Sequence, residues 1–138
     1  NGPLRVPSAA TWEKQLARWE AEGFLAVAAE YDGALPGGLT LFTNHNPRTR
    51  HCISFGLGVH PDFGGRGVGE RLIRTALDYS RNWLGITRME LEVFHDNDRA
   101  LRLYERLGFE REGVKRQAAL RDGQLRDVVM MAKLLNGE

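Results

Sequence analysis

At 138 residues, with 42% hydrophobic and 27% charged residues, the chain is long enough for one domain with a real core and too short to expect two. Nineteen basic against eighteen acidic residues leave a formal charge of +1, so no global field is available to hold a nucleic-acid backbone and any anion binding must be local. The one cysteine, Cys52, excludes an internal disulfide framework and metal clustering by cysteine, and no run approaches the ~20 apolar residues of a membrane span, so a soluble cytoplasmic protein with no membrane partner is expected.

Residues 1–7 read as a loop-like start, after which Ser8 can cap a helix to about Glu22, with Trp12, Leu16 and Trp19 at helical spacing and Gly23 as the stop. Residues 24–29 read as a strand. Asp32-Gly33 and Gly37-Gly38 mark a turn into a second strand over 39–43, which predicts an antiparallel hairpin. The third strand, 51–59, places Ile53, Phe55, Leu57 and Val59 on one face and Cys52, Ser54, Gly56 and Gly58 on the other. Two glycines on one face leave room for a bulge or for close approach of a ligand.

From 68 to 84 the apolar residues Val68, Leu72, Ile73, Ala76, Leu77, Trp83 and Leu84 follow a helical period, ended by Gly85. Residues 88–94 alternate as a fourth strand. Asn97 or Asp98 can cap a short helix in which Ala100, Leu101, Tyr104 and Leu107 share a face before Gly108 breaks it. Phe109 opens another strand, and Arg121-Asp122-Gly123 turns the chain into a last one over 128–134. This order gives an α+β fold on a mixed sheet.

Between the third strand and the long helix stands Gly64-Gly65-Arg66-Gly67-Val68-Gly69. A strand, a glycine loop and a helix make an anion site, because the first N–H groups of the helix point outward and its dipole favours negative charge. A tight connecting loop has the same composition. A P-loop would end Gly-Lys-Ser/Thr, whereas this one ends Gly69-Glu70-Arg71; a dinucleotide fingerprint would need glycine where Glu70 or Leu72 stands.

The stretch from Gly64 to Leu72, followed by Asn97-Asp98-Arg99-Ala100-Leu101-Arg102-Leu103-Tyr104-Glu105-Arg106-Leu107-Gly108-Phe109, resembles the GNAT superfamily of N-acetyltransferases. Asn82-Trp83-Leu84, the run 88–97 and Ala119-Leu120-Arg121-Asp122-Gly123 are similar to a bacterial subgroup of L-amino-acid N-acetyltransferases. The resemblance implies a GNAT fold, a central and mostly antiparallel sheet with a splayed strand pair and flanking helices. It also implies that residues 1–138 are a single acetyltransferase domain, N-terminally incomplete, that lacks the family's first strand and helix. Acetyl-CoA is the implied co-substrate, with no metal. Backbone N–H groups of Gly65, Gly67, Gly69 and Glu70 would cradle its pyrophosphate, with Arg66 as a nearby positive charge. Gly64 departs from the Gln or Arg that usually opens the loop and hands more of the binding to backbone groups. Leu57 and Val59 would lie along the pantetheine arm, and Gly56 with Gly58 suit a family bulge. The Asn97 amide would bond the same arm, and Tyr104 would protonate the departing thiolate. Asn97 reads equally as a helix cap, and Tyr104 has an alternative as a core aromatic.

An amine must lose a proton to attack a thioester, so a base is needed directly or through water. His51 is the first candidate, where some relatives place a glutamate; Glu92 and His95 come next. Cys52 lacks a clear base and is a poor covalent nucleophile. The resemblance implies a small-molecule amine as acceptor, within the subgroup an L-amino acid; independently of it, Arg5 and Arg116 are candidates to meet a substrate carboxylate. Protein or peptide N-acetylation and a non-catalytic acyl-CoA binding domain are the alternatives. Dimers are common in the family, which leaves a homodimer open.

Overall fold

A computed structural model of the chain describes residues 24–31, 34–59 and 67–136, with side chains described from residue 37 onward. The helix expected over 8–22 lies outside the described residues. In chain order the elements are β1 (Phe24–Tyr31), β2 (Ala34–Phe42), β3 (Cys52–Val59), α1 (Val68–Asn82), β4 (Arg88–Phe94), α2 (Asp98–Arg106), β5 (Glu110–Arg121) and β6 (Gln124–Leu134). They form one six-stranded sheet in the order β1-β2-β3-β4-β6-β5. Every neighbouring pair is antiparallel except β3 and β4, which α1 connects as a crossover. No helix of the described residues is long and apolar enough to cross a membrane.

Strand periodicity divides the sheet into two unlike faces. One face carries Leu39 and Leu41 of β2, Ile53 and Phe55 of β3, Met89, Leu91 and Val93 of β4, and Val129 and Met131 of β6, all buried in one cluster. Over it lies α1, whose buried residues Val68, Leu72, Ile73, Ala76 and Leu77 recur at the spacing of one helix face. The other face presents Phe42, Ser54, Glu90 and Glu92, none of them fully buried.

Three local expectations change. Gly37 and Gly38 do not form a turn; they lie inside β2, opposite Val59 and Gly58 of β3. A β-carbon at Gly37 would stand 2.9 Å from Val68 Cγ1 and 3.2 Å from Leu72 Cδ1, so the glycine lets α1 settle onto the sheet. Trp83 does not continue the buried face of α1 and is 76% exposed, because the helix ends at Asn82 and Gly85, at φ 66°, redirects the chain. The β2–β3 register runs unbroken from Gly37↔Val59 to Phe42↔Ser54, so Gly56 and Gly58 form no bulge in that ladder.

The sheet nevertheless splits. β3 pairs with β4 only through Cys52↔Arg88, Ile53↔Met89 and Ser54↔Glu90. Beyond Ser54, β3 stays with β2 while β4 stays with β6 as far as Phe94↔Val128. The result is the splayed pair in a mostly antiparallel sheet that the resemblance implied.

Candidate active site

The open arm of the fork, Phe55 to Val59, has one backbone edge in the β2 ladder and no described strand on the other. Where β3 ends, α1 begins. Its N-cap, Gly67, has a left-handed backbone (φ 77°, ψ 7°) and supplies no side-chain cap. The first intrahelical bond runs from Arg71 N–H to the Gly67 carbonyl, which leaves the N–H groups of Val68, Gly69 and Glu70 pointing out of the helix end. These are the donors an anion needs, and the macrodipole adds to their pull.

Gly69 is held by close approach rather than by an unusual φ. A β-carbon there would lie 3.2 Å from Leu103 Cδ2 of α2 and 3.4 Å from Leu57 Cδ2 of β3, with Val59 Cγ2 at 3.7 Å. Thus the residues expected along the arm, Leu57 and Val59, meet the first turn of α1 and the side of α2. Glu70 is fixed from both sides, by Arg74 at 3.2 Å and by Arg106 of α2 at 3.9 Å. Gly64, Gly65 and Arg66 lie outside the described residues. Val68, which the sequence reading left out, supplies one of the free N–H groups because the helix starts one residue after Gly67.

The short α2 is locked at both ends. Asn97 Oδ1 accepts from Ala100 N–H at 3.2 Å, an N-cap that uses the amide's acceptor and leaves its NH₂ donors. At the other end Gly108, at φ 98°, allows Gly108 N–H to bond the Glu105 carbonyl and Phe109 N–H to bond that of Tyr104. This paired closure brings the Phe109 and Tyr104 rings to 6.1 Å, edge to face. Phe55, the first residue past the paired end of β3, completes the triad at 6.0 Å from Tyr104 and 5.8 Å from Phe109. Tyr104 is 7% exposed, and burial pushes its phenol above the ordinary tyrosine value, so it keeps its proton.

On the far face of the sheet, at the same fork, a cavity of about 290 Å³ opens between the strands. Ser54, Phe55, Arg88, Glu90, Leu91, Glu92 and Glu112 are among its lining residues. Phe55 is common to the cavity and the aromatic triad, so the two sides of the sheet meet where β3 and β4 part.

The base candidates separate. Glu92 lines the cavity and forms an ion pair with Lys115. His51 lies three residues before the fork, about 10 Å along an extended strand, and does not line the cavity. Its carbonyl accepts from the N–H groups of Thr87 and Arg88 and fastens the closed end. His95 follows β4 on an exposed turn, its N–H bonded to the Asp127 carbonyl. Contrary to expectation, Cys52 has a candidate base beside it, His51 Nε2 at 3.4 Å from Sγ, but burial and then Glu90 raise its thiol, which disfavours the nucleophilic thiolate. Arg5 lies outside the described residues; Arg116 is exposed on β5 and does not line the cavity. Among the described residues no three His, Cys, Asp or Glu side chains gather to hold a metal.

A sequence profile described as "Acetyltransferase (GNAT) family" matches residues 3–109. The chain belongs to the GNAT acetyltransferase family. It is 37% identical over 104 residues to the L-amino acid N-acetyltransferase AaaT of Escherichia coli, covering 75% of this chain and 63% of that relative. The chain therefore spans less than two thirds of that GNAT relative's length. A chimera of the spermidine N-acetyltransferase SpeG from Vibrio cholerae with hSSAT superposes with a TM-score of 0.76 at 27% identity, over 91% of this chain and 74% of that one. The structure of yncA, a putative acetyltransferase from Salmonella typhimurium solved with its cofactor acetyl-CoA, shares the GNAT fold, with a TM-score of 0.75 at 24% identity, over 82% of this chain and 65% of that one.

Proposed function

We propose that the protein is an acetyl-CoA-dependent N-acetyltransferase, that residues 1–138 act as one acetyltransferase domain, and that the acceptor is the primary amine of a small molecule. The observation that carries this reading is the fork. On one side stand an uncapped helix end at Gly67–Glu70 and a buried, protonated Tyr104; on the other lies a cavity lined by carboxylates.

Acetyl-CoA supplies the acetyl group as a thioester. Free N–H groups of Val68, Gly69 and Glu70, with the loop Gly64-Gly65-Arg66-Gly67, receive the pyrophosphate, and the unpaired edge of β3 at Leu57 and Val59 receives the arm. The NH₂ group of Asn97 donates to that arm while its oxygen caps α2. We infer that Glu92, rather than His51, takes the proton of the acceptor ammonium, directly or through water. The amine nitrogen then bonds the thioester carbon, the carbon–sulfur bond breaks, Tyr104 gives its proton to the departing sulfur, and the second proton that the nitrogen must shed to become an amide restores the Tyr104 phenol, directly or through water. Attack is direct, since the Cys52 thiol is held protonated away from the cavity. The likeness to AaaT supports a small-molecule amine as the acceptor.

The test is thiol release from acetyl-CoA by the full chain with a panel of amino acids, amino-acid amides and simple amines. Acceptor-dependent thiol release is expected. A chain that binds coenzyme A and releases no thiol with any acceptor or peptide is a binding domain.

A further inference from the structure

Among the described residues, the cavity at the fork is lined by one guanidinium, Arg88, and three carboxylates, Glu90, Glu92 and Glu112. The guanidinium is already occupied. Its Nε donates to Glu90 Oε2 at 3.1 Å, and its two terminal nitrogens donate to the two oxygens of Glu112, at 3.0 Å for Nη1. This bidentate pairing raises the guanidinium affinity for its proton and holds the Glu112 carboxyl below the usual carboxylate range.

The clamp is built into the sheet. Arg88 stands on β4 and Glu112 on β5, two strands away with β6 between them. Glu112 is the extra residue where the β5–β6 register shifts between Arg111↔Met131 and Gly113↔Met130. A bulge of this kind re-aims a side chain. In β6, Ala132 faces Glu90 on one side and Glu110 on the other, and adds only a methyl group to the surface that the clamp crosses. Lys115, the next cation on that surface, is engaged by Glu92.

An acceptor carrying a carboxylate next to its amine would bring that anion against a lining with an excess of negative charge. Its natural partner, Arg88, would first have to leave Glu112. A cationic amine meets no such conflict. Resting on the transferase reading above, we propose that the acceptor is a primary amine bearing no free carboxylate, selected because the Arg88–Glu112 clamp withholds the cavity's guanidinium. Glu112 is thus a specificity-determining residue: intact, it rejects carboxylates, and its loss releases the fork that would bind them.

L-phenylalanine and L-phenylalaninamide differ at the carboxyl group and, through it, in the basicity of the α-amine, so the two are compared at equal concentrations of free amine. Thiol release from acetyl-CoA by the full chain is expected to show kcat/KM at least about tenfold higher for the amide, since a carboxylate set against the carboxylates of the lining is repelled by like charge. Glu112→Gln is expected to shrink that ratio at least about threefold by raising kcat/KM for the acid, as the freed guanidinium takes up its carboxylate. Retained coenzyme A affinity identifies a folded variant, and the comparison in the unsubstituted chain does not depend on the variant. Equal or better use of L-phenylalanine by the unsubstituted chain overturns the proposal and leaves the transferase reading intact. No thiol release with any acceptor overturns both.

Discussion

The two ends of β3 belong to one continuous alternating strand but do different work. At the closed end, Cys52 to Ser54 are zipped to β4, and Ile53 is buried beneath α1. At the open end, Phe55 to Val59 keep β2 and lose β4, and around them gather the N-terminus of α1, Leu103 and Tyr104 of α2, and the cavity. The same alternating pattern therefore makes a structural clasp in one half and a binding edge in the other. Strand pairing consumes backbone groups that a ligand would otherwise use, so a sheet offers its backbone only where a partner strand departs.

That contrast is most exposed to Tyr104→Phe, which removes one hydroxyl at the fork and leaves the ring in place. The expected result is a fall in kcat of about 10²–10⁴-fold, the usual range for loss of a general acid. Coenzyme affinity by calorimetry is expected to stay unchanged. An unaltered kcat would move the acid elsewhere. Because burial raises the Tyr104 phenol, its proton survives past the ordinary value of about 10. The alkaline fall in kcat that depends on it is then expected above about pH 10, and to be missing from the Phe variant.

At the closed end the expected effect falls on folding. Ile53→Ala, at a site 1% exposed, is expected to cost about 2–5 kcal/mol in denaturant unfolding. At saturating acetyl-CoA and amine, kcat of the folded fraction should change little. A large change in kcat with intact stability would show that the clasp also positions the chemistry.

Gly69→Leu attacks the open end through packing, since its β-carbon alone already presses on Leu103. An overpacking cost of about 1–3 kcal/mol corresponds to roughly five- to 150-fold weaker coenzyme A binding if it is borne by the first turn of α1. Unchanged affinity would remove that turn from the coenzyme site.

The smallest effect separates the two roles of Asn97. Replacement by Ala is expected to lower stability by about 1 kcal/mol through the lost cap. Asn97→Asp keeps a cap oxygen and loses the NH₂ donors, so it should preserve melting temperature while weakening coenzyme binding. Equal coenzyme affinity in the Asp variant would leave Asn97 as a cap alone.

Much of this architecture was legible because it is local. Leu72, Ile73, Ala76 and Leu77 announce a helix face, Met89, Leu91 and Val93 a half-buried strand, and Gly108 an α2 terminus that the structure then closes onto Phe109. The glycine pair at Gly37-Gly38 misled for an equally physical reason. Composition signals backbone freedom or lack of bulk alike, and here it was the missing side chain that mattered, because α1 lies on top of it. Trp83 misled by periodicity, which carries no information about where a helix stops.

What the sequence determined by itself was the set of described elements and the family resemblance in Gly64 to Leu72 and Asn97 to Phe109, with Tyr104 as the candidate acid. The fork, the Phe55–Tyr104–Phe109 triad and the clamp of Arg88 on Glu112 belong to tertiary structure alone. Each joins residues from different strands or helices, 24 positions apart in the case of the clamp, and depends on where one strand leaves another. Local chemistry sets which residues can form an element; only the packed sheet decides which of its edges stays open.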